Sequence, residues 1–277
     1  MTDLASERAH FVGGTPFFAS QHDQRLFYAL YVPKDHTPDA EPLPLVVIQH
    51  GTGRSAELYR DLWKQFAIEH RCVILTPLFP AGLMEPGELH SYKFLEYRGV
   101  RFDEELLHIV DEVGAGFNVR TDRFYLHGFS GGGQFAHRFF YARPERLAGV
   151  SIGAPGRITQ LDDSLPWWLG TGGFEERFGI RIDLGALRAV PVQMVVGSAD
   201  VETWEINNPG GPNWMDGVAD TGRTRVERLQ TLRDNFVSQG IAVRWDVVPG
   251  VGHQGSEVIP VVQDFVSGLL STLESAR

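Results

Sequence analysis

Along the chain, short unbroken apolar runs alternate with longer stretches in which apolar positions return every three or four residues. Leu45-Val46-Val47-Ile48 and Val192-Gln193-Met194-Val195-Val196 are such runs, and strands buried on both faces read this way. Strands are predicted over 26–33, 43–49, 72–77, 123–126, 147–152, 191–196 and 243–248. Helical periodicity predicts helices over 56–69, 102–113, 132–141, 224–239 and 257–273. In 102–113, Leu106, Leu107 and Val110 form the apolar stripe, with Asp103, Glu104, Glu105, Asp111 and Glu112 on the remaining face. Regular exchange of strand and helix predicts an α/β fold. Its central sheet is mostly parallel, with helices on both faces, in a single domain spanning 1–277.

Two stretches break the alternation. Residues 153–189 carry Trp167, Trp168, Phe174 and Phe178 among glycines and prolines, and 201–221 carry Trp204 and Trp214. Irregular segments of this length are uncommon inside a compact domain and often serve as lids or binding loops. The first is read as an aromatic-rich, lid-like insertion and the second as an active-site loop. On that reading Trp167, Trp168, Phe174, Trp204 and Trp214 are candidate substrate-binding residues. The alternative is a surface excursion whose aromatics anchor it to the core.

Composition narrows the function. A formal net charge of −10 argues against a nucleic-acid partner, which calls for basic patches. The single cysteine, Cys72, excludes an internal disulfide and a cysteine-based metal cluster. No run approaches the ~18 apolar residues of a membrane span. Residues 1–14 show no apolar core behind a positive start, so a cytoplasmic protein is expected. Oligomeric state stays open.

The chemistry concentrates at Gly128-Phe129-Ser130-Gly131-Gly132, a G-x-S-x-G pattern. It follows the apolar Phe124-Tyr125-Leu126 and precedes a helical pattern with Phe135, Ala136, Phe139 and Phe140, the strand–turn–helix setting that the motif needs. A sharp elbow brings strand and helix close, and flanking glycines remove the Cβ atoms that would collide. A serine hydroxyl needs a base and a group that orients the base. With such an elbow the acid follows in the chain and the histidine comes last. Val195-Val196-Gly197-Ser198-Ala199-Asp200 ends a strand in a carboxylate, and Val248-Pro249-Gly250-Val251-Gly252-His253 ends another in an imidazole. Glu202, Asp216 and Asp220 are alternatives for the acid. An oxyanion needs two N–H donors. Gly131 follows the nucleophile, and the loop His50-Gly51-Thr52-Gly53 supplies Thr52 as second donor, with Gly53 as the alternative. His127, beside the elbow, reads as a packed neighbour, and His70, His90, His108 and His137 lack metal-ligand spacing. Neither a metal nor a cofactor is implied.

With elbow, acid, histidine and His-Gly loop in this order, the sequence resembles the α/β-hydrolase superfamily from Leu26 to Leu273. The segment Asn118-Val119-Arg120-Thr121-Asp122-Arg123-Phe124-Tyr125, leading into the elbow, is similar to that of polyhydroxybutyrate-depolymerase-like and feruloyl-esterase-like enzymes. The resemblance implies a serine esterase acting through an acyl-enzyme. Ser130 would be nucleophile, His253 base, Asp200 its orienter, and Thr52 and Gly131 oxyanion donors. The expected partner is a small-molecule ester or other acyl substrate. The same triad also serves amide, peptide, lactone, thioester and C–C bond hydrolysis, and a non-catalytic ligand-binding protein of this fold is a further alternative.

Overall fold

The Val-, Ile- and Leu-rich runs form the middle of one sheet, because only a strand covered on both faces can be apolar at every position. In the computed structural model, which describes residues 11–211 and 213–275, eleven strands are present among those residues. They are β1 (Gly13–Gly14), β2 (Phe18–Ala19), β3 (Phe27–Val32), β4 (Leu45–Gln49), β5 (Val73–Leu78), β6 (Glu96–Tyr97), β7 (Val100–Arg101), β8 (Phe124–Phe129), β9 (Leu147–Gly153), β10 (Val192–Gly197) and β11 (Val243–Val248). The main sheet runs β1-β3-β5-β4-β8-β9-β10-β11, with β2 paired to β3, while β6 and β7 form a separate hairpin. From β5 to β11 every neighbouring pair is parallel, and β3 joins β5 antiparallel. Every residue of β4, β8 and β10 is buried, so both faces of the sheet are covered.

The helices are α1 (Ala56–Leu62), α2 (Lys64–Glu69), α3 (Phe102–Phe117), α4 (Gly131–Ala142), α5 (Phe174–Phe178), α6 (Leu184–Ala189), α7 (Arg225–Ser238) and α8 (Gly255–Ser275). All seven predicted strands and all five predicted helical segments are present, with informative differences at their ends. The segment predicted as one helix over 56–69 divides into α1 and α2 at Trp63, whose φ of −95° and ψ of −1° interrupt the regular turn. The Trp63 indole is buried against Phe66, so tertiary packing overrides helical periodicity there. Helix α3 runs one turn beyond 113 and ends where Asn118 adopts a left-handed conformation, φ 51°. Strand β8 continues past 126 to Phe129 and delivers the chain directly to Ser130. The stretch 153–189 contains α5 and α6, and its Leu161, Leu169, Phe174 and Phe178 are buried.

Parallel register brings five strand ends to one edge. Gln49 of β4 stands beside Gly128 of β8, Gly128 beside Ile152 of β9, and Val196 of β10 beside Val247 of β11. The loops that follow β4, β8, β10 and β11 therefore emerge together at the carboxyl edge, where open α/β sheets bind ligands.

Candidate active site

Ser130 occupies the turn between β8 and α4 with φ 58° and ψ −115°, a conformation that L-residues rarely adopt. Two hydrogen bonds hold it there: Ser130 N–H donates to the Gly153 carbonyl at 2.9 Å, and its own carbonyl accepts from Gln134 N–H at 3.0 Å. A Cβ at Gly128 would collide with the Gly132 carbonyl, which is why the turn requires glycine at that position. The strain raises the hydroxyl above the sheet edge, within reach of the loops after β10 and β11.

Those two loops are tied together before they meet Ser130. Ala199 N–H donates to the Val251 carbonyl at 2.9 Å, and Gly250 N–H to the Ser198 hydroxyl at 2.8 Å. His253 Nε2 then lies 2.9 Å from Ser130 Oγ, and His253 Nδ1 lies 2.6 Å from Asp200 Oδ2. The buried carboxylate can only accept, so the proton of this pair sits on Nδ1 and leaves the Nε2 lone pair for the serine O–H. The structure brings Asp200 to His253; Glu202 instead accepts a hydrogen bond from Trp204 Nε1 at 3.0 Å. Asp200 Oδ1 has a further partner, Arg225 Nη1 at 3.4 Å, and Arg225 also pairs with Glu205. Arg225 belongs to no sequence motif. It is an ordinary helix residue 25 positions from Asp200, and no local pattern links the two.

The loop after β4 is built around a neutral histidine. His50 Nε2 accepts the Phe79 N–H at 3.0 Å, so its proton is on Nδ1, which donates to the Gly51 carbonyl at 2.8 Å. Burial pushes the His50 imidazole down to about 3. Tyr92 donates its hydroxyl proton to the His50 carbonyl at 3.1 Å. Thr52 N and Gly131 N border one small space: an atom at the Cβ position of Gly131 would lie 3.0 Å from Thr52 N. Among the described residues neither N–H has an acceptor. Lys93 Nζ donates to Thr52 Oγ1 at 2.8 Å and to His90 Nδ1 at 2.8 Å. Its ammonium is pushed down to about 7, first by burial and then by the nearby Arg54 and Arg157. Residues 79–101 carry neither periodicity nor motif, which is why Lys93, Tyr92 and the rest of this wall could not be found from sequence.

The aromatic candidates divide. Phe174 is buried in the core beside Phe178, and the Trp167 ring packs on both at 5.4 and 5.0 Å. Trp168 is half-buried against Phe94 at 5.5 Å, one residue from Lys93. Trp204 is 75% exposed, and Trp214 is half-buried. Among the described residues no three His, Cys, Asp or Glu side chains converge as a metal-binding group, and no helix is long and apolar enough to cross a membrane.

Comparison with solved structures places this geometry in a known architecture. A poly(3-hydroxybutyrate) depolymerase from Bordetella parapertussis superposes with a TM-score of 0.76 at 22% identity, covering 95% of this chain and 93% of that one. Poly(aspartic acid) hydrolase-1 from Sphingomonas sp. KT-1 gives 0.69 at 21%, over 86% and 92% of the two chains. An S-formylglutathione hydrolase from Agrobacterium tumefaciens gives 0.62 at 16%, over 94% and 95%. No family model and no curated protein matches the sequence. The fold is that of the α/β-hydrolases.

Proposed function

We propose that the chain is a serine hydrolase that cleaves carboxylic esters through an acyl-enzyme on Ser130. The observation that carries the reading is the hydrogen-bonded row Asp200–His253–Ser130, poised at a strained elbow. The hydrolase and depolymerase neighbours, which share the fold, support the same class.

In the first half-reaction His253 Nε2 takes the Ser130 proton as Oγ attacks the substrate carbonyl carbon. Negative charge develops on the carbonyl oxygen and is met by the Thr52 and Gly131 N–H groups, which have no competing acceptor to give up. Asp200 stabilises the imidazolium and holds its tautomer. His253 then protonates the leaving oxygen, the C–O bond breaks and the alcohol departs. Water, deprotonated by the same imidazole, attacks the acyl group, and collapse of the second tetrahedral intermediate returns the proton to Ser130 and frees the acid. Of the five aromatics, Trp204 is exposed and Trp168 and Trp214 keep part of their surface, while Trp167 and Phe174 pack on each other and on Phe178.

A fluorophosphonate probe tests the reading directly, because it reacts with an activated serine. Mass spectrometry should locate a stoichiometric label on Ser130, lost in His253→Ala. Ser130→Ala should keep the fold and lose hydrolysis of short p-nitrophenyl esters by several orders of magnitude. A folded wild-type protein that takes no label and turns over no ester would refute it.

A further inference from the structure

The protein is acidic, at net −10, and many of its arginines meet carboxylates: Arg25 with Asp23 at 2.5 Å, Arg101 with Asp103 at 2.8 Å, Arg244 with Asp246 at 2.9 Å. Three cations beside the oxyanion loop break the pattern. Among the described residues Arg54, Lys93 and Arg157 have no carboxylate within ion-pair distance. Arg54 donates from Nε to the Phe79 carbonyl and from Nη1 to the carbonyls of Thr52 and Leu89, while its Nη2 is buried without a partner. Lys93, 1% exposed, gives two of its three N–H bonds to the neutral acceptors Thr52 Oγ1 and His90 Nδ1. Arg157 donates Nε to the Asn213 carbonyl at 3.2 Å. The nearest opposing charges, Glu88 and Glu205, favour the Lys93 ammonium from a distance, after the larger opposing effects of Arg54 and Arg157, but neither carboxylate touches the three cations. Glu88 accepts the His90 N–H, and Glu205 pairs with Arg225.

The effect of the two arginines falls on Lys93: Arg54 and Arg157 both depress its ammonium, and all three cations depress His90. They also adjoin the chemistry. Lys93 is bonded to Thr52, and its Cε would lie 2.8 Å from a Cβ placed on Gly131. Gathering like charges around a buried ammonium with no carboxylate in direct contact is unfavourable, and an anion that enters relieves it. Guanidinium and ammonium groups together suit a carboxylate, which can take two parallel hydrogen bonds from an arginine fork.

We propose that Lys93, Arg54 and Arg157 form an anion subsite beside the oxyanion loop, so that the favoured ester carries a carboxylate near its scissile carbonyl. The proposal rests on the serine-hydrolase reading for the chemistry but not for the binding. Mono-p-nitrophenyl glutarate and its neutral amide, p-nitrophenyl glutaramate, match in length and leaving group and differ in the terminal charge, with the spontaneous rate of each subtracted. Wild type should favour the charged ester in kcat/KM by at least about tenfold, the ratio expected of one charge-assisted hydrogen bond. The preference should shrink towards one in Arg157→Met, Lys93→Met and at high salt. Arg157 is only partly buried, so its variant remains informative if Lys93→Met does not fold. Equal or faster cleavage of the neutral ester by wild type overturns the proposal. If neither ester turns over, the fluorophosphonate label on Ser130 decides the hydrolase reading separately, and calorimetry with monomethyl glutarate still decides the subsite. Binding by wild type that Arg157→Met loses supports it; no binding by wild type overturns it.

Discussion

Asp200 shows how one side chain acquires a role from its surroundings. Its two oxygens are divided between His253 Nδ1 at 2.6 Å and the Arg225 guanidinium at 3.4 Å, so the carboxylate is held from both sides. Asparagine at this position would be nearly isosteric, yet its amide cannot serve as a double acceptor. It would favour the wrong imidazole tautomer and remove the charge opposite the imidazolium. Asp200→Asn should therefore lower kcat for ester hydrolysis by about 10³–10⁴-fold with little change in KM. Retained circular dichroism would show that the loss is chemical. A loss below tenfold would remove Asp200 from the mechanism. At the same scale, Ser130 is legible from sequence because the steric demand of the elbow is local: Gly128 and Gly132 are needed wherever this turn is made. Lys93 and Arg225 are not legible, since each acts on a partner 41 and 25 positions away.

Helix α7 shows how an element aims its side chains. Its N-terminal turn carries Arg225 and Arg228, cations at the end where the helix dipole disfavours positive charge. Both are buried, and they are accommodated by acceptors from other elements. Glu205 and Asp200 face Arg225, while the carbonyls of Gly156 and Ile206 face Arg228. A capping box starts this helix. Thr224 Oγ1 accepts the Glu227 N–H at 3.1 Å, and the Glu227 carboxylate accepts the Thr224 N–H at 3.2 Å. Thr224→Ala should cost about 1 kcal/mol in urea-induced unfolding. Ester turnover should change little, because Arg225 keeps its carboxylate partners. A stability loss near zero would mean that tertiary packing alone fixes the start of α7. The box could be read from Thr224 and Glu227, whereas the break at Trp63 could not, since only the core that receives the indole interrupts that periodicity.

For the whole molecule, burial of neutral imidazoles links stability to pH. His50 and His127 are pushed from 6.5 down to about 3 and about 4, in each case chiefly by desolvation. Between those values and 6.5 the unfolded chain binds protons that the folded chain excludes, so acid favours unfolding. Stability should be level in these two groups above about pH 7, fall as pH drops through 6, and stop falling on their account below about pH 3. Each contributes a slope of up to about 1.4 kcal/mol per pH unit. Urea midpoints measured from pH 7 to pH 4.5 should show the fall, and His127→Asn should flatten it. An identical slope in that variant would assign the acid sensitivity to carboxylates instead.

Periodicity and turn sterics act between residues close in the chain, and the sequence alone determined what depends on them. That covers the seven main strands, the helical segments, the mainly parallel α/β layering and the elbow at Ser130. It also covers the order in which Ser130, Asp200 and His253 arrive at strand ends, since parallel strands joined by helices bring those ends to one edge. Tertiary structure decided what depends on distance in space. It set Asp200 rather than Glu202, Asp216 or Asp220 against His253. It drew Phe174 and Trp167 of the irregular stretch into packing contacts, where apolar area leaves water whether or not the backbone is regular. It brought Arg54 and Lys93 onto Thr52, with Arg157 near enough to act on Lys93, although the chain as a whole is acidic. Charge pairing is settled by which side chains share a desolvated space, and no spacing along the chain encodes that.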